Sequence, residues 1–118
     1  MRVLVTGAGG FIGRTLCALL SARGMEVRTA LQGCEAVVHL AAAAHARVPA
    51  SVLEEVNVGL TARLARDAAA AGARRFVFMS SAKVFGEASP GRPLDEADPP
   101  RPGDAYAASK WRDRKSVV

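Results

Sequence analysis

Three groups of residues have types and spacing suited to chemistry. The first is Thr6-Gly7-Ala8-Gly9-Gly10-Phe11-Ile12-Gly13, in which Gly7, Gly10 and Gly13 are spaced G-x-x-G-x-x-G. Glycines at a strand-to-helix turn allow a tight bend and remove the Cβ atoms that would hold a pyrophosphate off the backbone. The N–H groups and dipole of the following helix then face the anion. The second group is Tyr106-Ala107-Ala108-Ser109-Lys110. Residues i and i+4 share a helix face, so the Lys110 ammonium can lie below the Tyr106 phenol and stabilise its phenolate. A free tyrosine ionises near pH ~10 and is a poor base at neutrality without such help. The third is Ser80-Ser81, which follows the apolar run Phe76-Val77-Phe78-Met79. A hydroxyl at a strand end can bond an alcohol or carbonyl oxygen.

The elements that must position these groups follow from hydrophobic pattern. Val3-Leu4-Val5 reads as a strand buried on both faces, and residues 11–23 as a helix whose Ile12, Leu16, Leu19 and Leu20 recur at helical spacing until Gly24. Short strands are expected at 26–29 and 36–40, a long Ala-rich helix at 49–71, and a further strand at 75–79. Residues 86–104 carry five of the six prolines and read as a loop, after which Asp104 can cap a helix from Ala105. This alternation predicts an α/β fold, a Rossmann-like doubly wound parallel sheet of about four strands. One joint is short. Between Thr29 and Ala36 there is no room for a crossover helix, so either these two segments are not both ordinary sheet strands or a piece of a longer fold is missing.

At 118 residues the chain can build one core but not a separate substrate domain as well. Its charge of +5 comes from 13 Arg and three Lys against 11 acids. The arginines are scattered, and only Arg74-Arg75 and the Arg112, Arg114, Lys115 group cluster, so no nucleic-acid partner is expected. Cys17 reads as a small core residue and Cys34 as lying at a loop-to-strand junction. With only His39 and His45 for company, they suggest neither a disulfide framework nor a metal site. His39 is read as packing. The glycines and Arg14 interrupt the apolar N-terminal stretch, which argues against a signal peptide, and no membrane contact and a cytoplasmic location are expected.

The order of TGAGGFIG, VVHLAA (37–42), Asn57-Val58, SSAKVFG (80–86), the proline loop around Pro93-Leu94-Asp95-Glu96 and YAASK resembles the extended short-chain dehydrogenase/reductase family. Within it the sequence is most similar to the NAD-dependent epimerase/dehydratase branch and its bacterial nucleotide-sugar 4-epimerases. The resemblance implies Tyr106 as general base and acid, Lys110 as its pKa-lowering partner and ribose ligand, and Ser81 as the hydroxyl that orients the reacting oxygen. Ser81 is preferred to Ser80 because the family's catalytic Ser or Thr stands three positions before Val84 of the V-F-G segment. Gly7, Gly9, Gly10, Phe11, Ile12, Gly13, Leu40, Ala41, Ala42 and Asn57, with Tyr106 and Lys110, would bind the cofactor. That cofactor would be NAD, with NADP left open. The implied reaction is transient oxidation of a sugar hydroxyl on a nucleotide-sugar substrate, in a longer parent for which a homodimer is left open.

The sequence departs from the pattern in three places. The family has a few tens of residues between its second strand and VVHLAA, including the groups that read the adenosine half of the cofactor, and these are expected to be missing here. The chain ends just after Lys110, where family members continue into a substrate domain. Residues 1–112 are therefore expected to be a partial NAD-binding domain. Residues 113–118 match the in-frame translation of a sequencing adapter and are expected to be a non-native tail. Two other readings stand beside the epimerase: a non-catalytic dinucleotide-binding remnant, and an NAD(P)-dependent reductase or steroid-dehydrogenase-like member of the same superfamily.

Overall fold

The computed structural model describes residues 1–43 and 48–115; His45 and the tail residues 116–118 lie outside them. Strand β1 (Arg2–Thr6) is followed by helix α1 (Phe11–Ala22), then β2 (Glu26–Arg28) and β3 (Ala36–His39). Next comes one long helical passage: α2 (Ala50–Leu53), a π-helical segment Glu54–Gly59, and α3 (Leu60–Ala70). Strand β4 (Arg75–Phe78), a 3-10 turn Ala82–Phe85, the proline loop and α4 (Ala105–Lys115) complete the order. The sheet order is β2-β1-β3-β4 and every pairing is parallel.

Alternation along β1 divides the core. Val3 and Val5, with Ala36, meet Leu16, Cys17 and Leu20 of α1 on one face. Leu4 and Val37 meet Cys34, Leu64 and Ala68 on the other. Helices therefore cover both faces, as a parallel sheet requires.

The short joint is resolved by geometry. Both segments are true strands, but β2 and β3 flank β1 and do not neighbour each other. Because Arg28 pairs with Leu4 and Ala36 with Val3, the chain must return only about 3.3 Å along the strand and step across two strand spacings of about 4.8 Å. The seven residues 29–35 can span about 24 Å when extended. Their turn is closed by Cys34 N–H donating to the Leu31 carbonyl, and Glu35 N–H then donates to Arg2.

The expected helix 49–71 is interrupted by the π segment, which the hydrophobic pattern does not reveal. The final helix is capped as expected: Ala107 N–H donates to Asp104 Oδ1 at 2.6 Å. Among the described residues no helix is long and apolar enough to cross a membrane.

Candidate active site

The glycine loop joins β1 to α1 at the C-terminal edge of the sheet. Gly7 has φ +73°, and a Cβ there would lie 3.0 Å from Ala41 N, so the residue must be glycine for both conformation and close approach. Gly13 is tighter, since its Cβ would fall 2.1 Å from the Gly7 carbonyl oxygen. Gly9 has the opposite character, with nothing within 4 Å of a Cβ position. The N-cap of α1 is Gly10, which supplies no side-chain cap, and the first turn carries no acid. The first-turn N–H groups therefore remain available to an anion. A cleft of about 250 Å³ in front of the loop is lined by Gly7, Gly10, Ile12, Gly13, Leu40 and Met79, at the ends of β1, β3 and β4. Phe11 is 89% exposed at its margin. Open space before Gly9 and uncapped helix N–H groups suit the pyrophosphate of a dinucleotide.

Thr6 opens the glycine motif with no role assigned to it from the sequence, yet it anchors this edge. Its Oγ1 accepts from Ala41 N–H at 3.3 Å and lies 2.6 Å from His39 Nδ1. His39 is 1% exposed, between Phe76 and Phe78, and its Nε2 lies 2.8 Å from Thr61 Oγ1. Burial, and then the nearby Lys110 cation, push the imidazole down to about 4, so it is neutral at pH 7. The Thr61 hydroxyl bonds the Asp113 carboxyl. As donor to a carboxylate it accepts from His39 Nε2–H, which leaves Nδ1 to accept from Thr6. The packing role expected of His39 thus includes two hydrogen bonds.

Asn57 sits in the π segment and is fully buried. Its Oδ1 accepts from Ala43 N–H at 2.8 Å, while Nδ2 donates to the Ala43 carbonyl at 3.2 Å and to Ser109 Oγ at 2.9 Å. Ser109 Oγ in turn donates to the Tyr106 carbonyl at 2.7 Å. Asn57 thus holds the chain after Leu40, Ala41 and Ala42 against the Tyr106 helix. Leu40–Ala42 are half-buried, with Leu40 lining the cleft.

Ser81 begins the 3-10 turn, and its Oγ accepts from Lys83 N–H at 3.2 Å. A wider cleft of about 610 Å³ is lined by Phe76, Met79, Ser80, Ser81, Phe85 and Glu96. Helix α4, which bears half-buried Tyr106, packs on the turn that follows Ser81. Lys110 has further neighbours on its helix face. Its Nζ lies 3.7 Å from Asp113 Oδ2 and 4.1 Å from the centre of the Phe78 ring, and among the described residues no hydrogen bond joins it to Tyr106. Burial holds the Lys110 ammonium below its ordinary value and pushes the Asp113 carboxyl up, while Thr61 and Lys110 act to lower the latter. Thr61, Ser109 and Asp113 were missed by sequence reasoning. Ser109 lies inside the Tyr106–Lys110 segment, but no local signal marks the other two.

A four-stranded parallel sheet covered on both faces, with a glycine loop opening the first helix, defines a Rossmann-like α/β fold. The sequence profile of the NAD dependent epimerase/dehydratase family matches residues 27–112. The chain belongs to that family.

Two relatives illustrate its range. A UDP-glucose 4-epimerase from Vibrio cholerae is 38% identical over 94 residues, which cover 75% of this chain and 29% of that protein. A 4-hydroxy-2-methyl-3-oxo-4-farnesyl-3,4-dihydroquinoline-1-oxide ketoreductase from Stigmatella aurantiaca is 28% identical over 151 residues, covering all of this chain and 45% of the other. An alignment of 151 positions against 118 residues leaves at least 33 positions without a counterpart here.

Among solved structures, a short-chain dehydrogenase/reductase superfamily protein from Agrobacterium tumefaciens with bound NAD superposes with TM-score 0.91 at 32% identity, covering 99% of this chain and 44% of that one. MoeE5 in complex with UDP-glucuronic acid and NAD superposes with TM-score 0.88 at 28% identity, covering 99% and 48%. The chain spans less than half the length of each of these relatives.

Proposed function

We propose that this chain carries the cofactor-binding part of an NAD-dependent nucleotide-sugar epimerase or dehydratase of the 4-epimerase type. The observation that carries the reading is the cleft at the ends of β1, β3 and β4, where Gly7, Gly10 and Gly13 meet Leu40 and Met79. The glycine loop and the α1 N–H groups bind the pyrophosphate, and Leu40, Ala41 and Ala42 form the adjoining wall. Bound NAD would supply a hydride acceptor that later returns the hydride. Ser81 Oγ holds the reacting sugar oxygen by a hydrogen bond. Tyr106 takes the hydroxyl proton and gives it back, while Lys110 stabilises its phenolate and bonds the ribose. The relatives with bound NAD and with UDP-glucuronic acid support the cofactor and substrate class. NADP, a homodimeric parent and a cytoplasmic location stay within this reading.

On the same reading residues 1–112 are a partial NAD-binding domain and 113–118 a non-native tail. Asp113 supports this, because a buried carboxylate whose Oδ1 has no partner is a costly choice. The pairing of Lys110 with Asp113 also favours a second reading of this particular chain, as a dinucleotide-binding remnant without turnover. The ketoreductase relative favours a third, carbonyl reduction by the same Ser81, Tyr106 and Lys110.

Equilibrium titration of the 118-residue chain with NAD tests the reading. Saturable binding is expected, and Gly9→Val, which fills open space before the loop, is expected to abolish it while leaving the fold intact. Absence of saturable binding at millimolar NAD would sink the cofactor assignment for this chain.

A further inference from the structure

Strand β4 stands at one end of the sheet order β2-β1-β3-β4, so among the described residues one of its edges meets no other strand. Arg74 N–H donates to the Glu35 carbonyl on the β3 side. Alternation along the strand then turns the N–H groups of Arg75 and Val77 to the open side. Such an edge is a template for another strand unless charge, proline or a covering element blocks it. Arg75 is the single charged residue of the run 75–79, which holds no proline.

The two faces of β4 differ. Phe76 lies beside Val37 and Phe78 beside His39, on the face where Leu64 and Ala68 of α3 pack, and the Lys110 ammonium of α4 lies over the Phe78 ring. On the α1 face Val38 packs into the core, but its neighbour Val77 is 51% exposed and Met79 is 41% exposed. The whole chain is open to a matching extent. Its accessible surface is 7433 Å², whereas a compact monomer of 12.3 kDa exposes about 6,100 Å². The excess of about 1,300 Å² is what one partner gives up in a stable two-chain interface.

We infer that the open edge of β4 pairs antiparallel with β4 of a second copy of this chain, centred on Val77. The inference stands on the fold and is independent of the cofactor and substrate reading. Phe76-Val77-Phe78 reads the same in both directions, which is what a two-fold pair of strands requires. Centring on Val77 lets the outward N–H and C=O groups of the two valines exchange a pair of hydrogen bonds. It sets each Phe76 opposite Phe78 of the other copy on the α3 face, and the two valines side by side on the α1 face. Each Arg75 falls opposite Met79, whose exposed side chain its aliphatic stem covers. The two Arg75 residues then stand about 14 Å apart along the pair, beyond the screening length of about 8 Å at physiological salt. An unrelated strand would meet this edge without that match of side chains.

Sedimentation equilibrium of the 118-residue chain over a range of micromolar concentrations reads the association, and a reversible dimer is expected. Val77→Lys sets two ammonium groups against each other at the centre and is expected to weaken the dimer about tenfold or more. Val77→Glu is expected to do the same, and mixing the two variants to restore a dimer with one of each. Met79→Glu, facing Arg75 of the other copy, is expected to tighten the dimer about threefold. Circular dichroism and thermal melts of each variant monitor the fold. A chain that stays monomeric overturns the inference and leaves the edge to a different polypeptide. Growth beyond the dimer also overturns it, because a two-fold pair of edges closes. So does a dimer indifferent to Val77→Lys, which would lie on another surface, or a loss that mixing with Val77→Glu does not reverse.

Discussion

Asn57 Nδ2 donates to Ser109 Oγ at 2.9 Å, joining the π segment to the helix that bears Tyr106 across 52 residues of sequence. A π turn widens a helix locally and re-aims one side chain. Here that side chain also takes both backbone groups of Ala43. Asn57→Ala leaves buried donors and acceptors unmatched and is expected to cost about 2 kcal/mol, and Ser109→Ala about 1 kcal/mol. The double variant is expected to cost less than the sum, because the two share one bond. Chemical denaturation of the four proteins measures the coupling.

The glycine loop separates folding from binding. Gly13→Ala would place Cβ against the Gly7 carbonyl and Ala8, all backbone atoms that cannot move aside cheaply, and is expected to lose about 3 kcal/mol. Gly9→Ala meets nothing within 4 Å and should leave thermal stability unchanged. The pair of melting curves, run without ligand, checks the contrast.

His39 predicts a window of acid sensitivity. Its pKa falls from 6.5 to about 4 on burial, so the unfolded chain binds the proton more readily. Stability from this group is fully present above pH ~6.5 and is lost as pH falls toward ~4, by about 3 kcal/mol at most. Asp113, whose carboxyl is pushed up by burial, acts in the opposite sense, since its protonation favours the folded chain. Denaturation midpoints across this range should fall in the parent protein. His39→Gln, which keeps hydrogen-bonding capacity but does not titrate, should show a shallower dependence.

The cap of α4 makes a smaller prediction. Asp104 Oδ1 accepts from Ala107 N–H, and this bond, followed by the one to Lys83, holds the carboxyl below its ordinary range. Asp104→Ala is expected to lower the melting temperature by a few degrees and Asp104→Asn by less, because the amide oxygen still accepts. Thermal melts at pH 7 distinguish the two.

Much of the site was legible because its signals are local. Gly7, Gly10 and Gly13 announce a turn that side chains would block, and the later geometry of Gly7 and Gly13 gives the physical cause. The strands at 36–40 and 75–79 and the capped helix after Asp104 follow from short-range pattern and are found within a residue or so of where they were expected. For Lys110, helical spacing names possible neighbours without ranking them. Asp113 at i+3 satisfies the same rule and carries a full opposite charge.

What the amino-acid sequence determined by itself was the class of fold and which residues are candidates for its chemistry: glycine spacing, apolar alternation and the Tyr106–Lys110 register are properties of neighbouring residues. Tertiary structure alone decided which polar groups meet. The Thr6–His39–Thr61 chain links three separate elements, and the partners of Asn57 lie 14 and 52 residues away. It also decided that β2 and β3 flank β1 and that Asp113 is buried beside Lys110. The physical reason is that hydrogen bonds and ion pairs gain their strength from burial, and burial is conferred by the packing of distant segments.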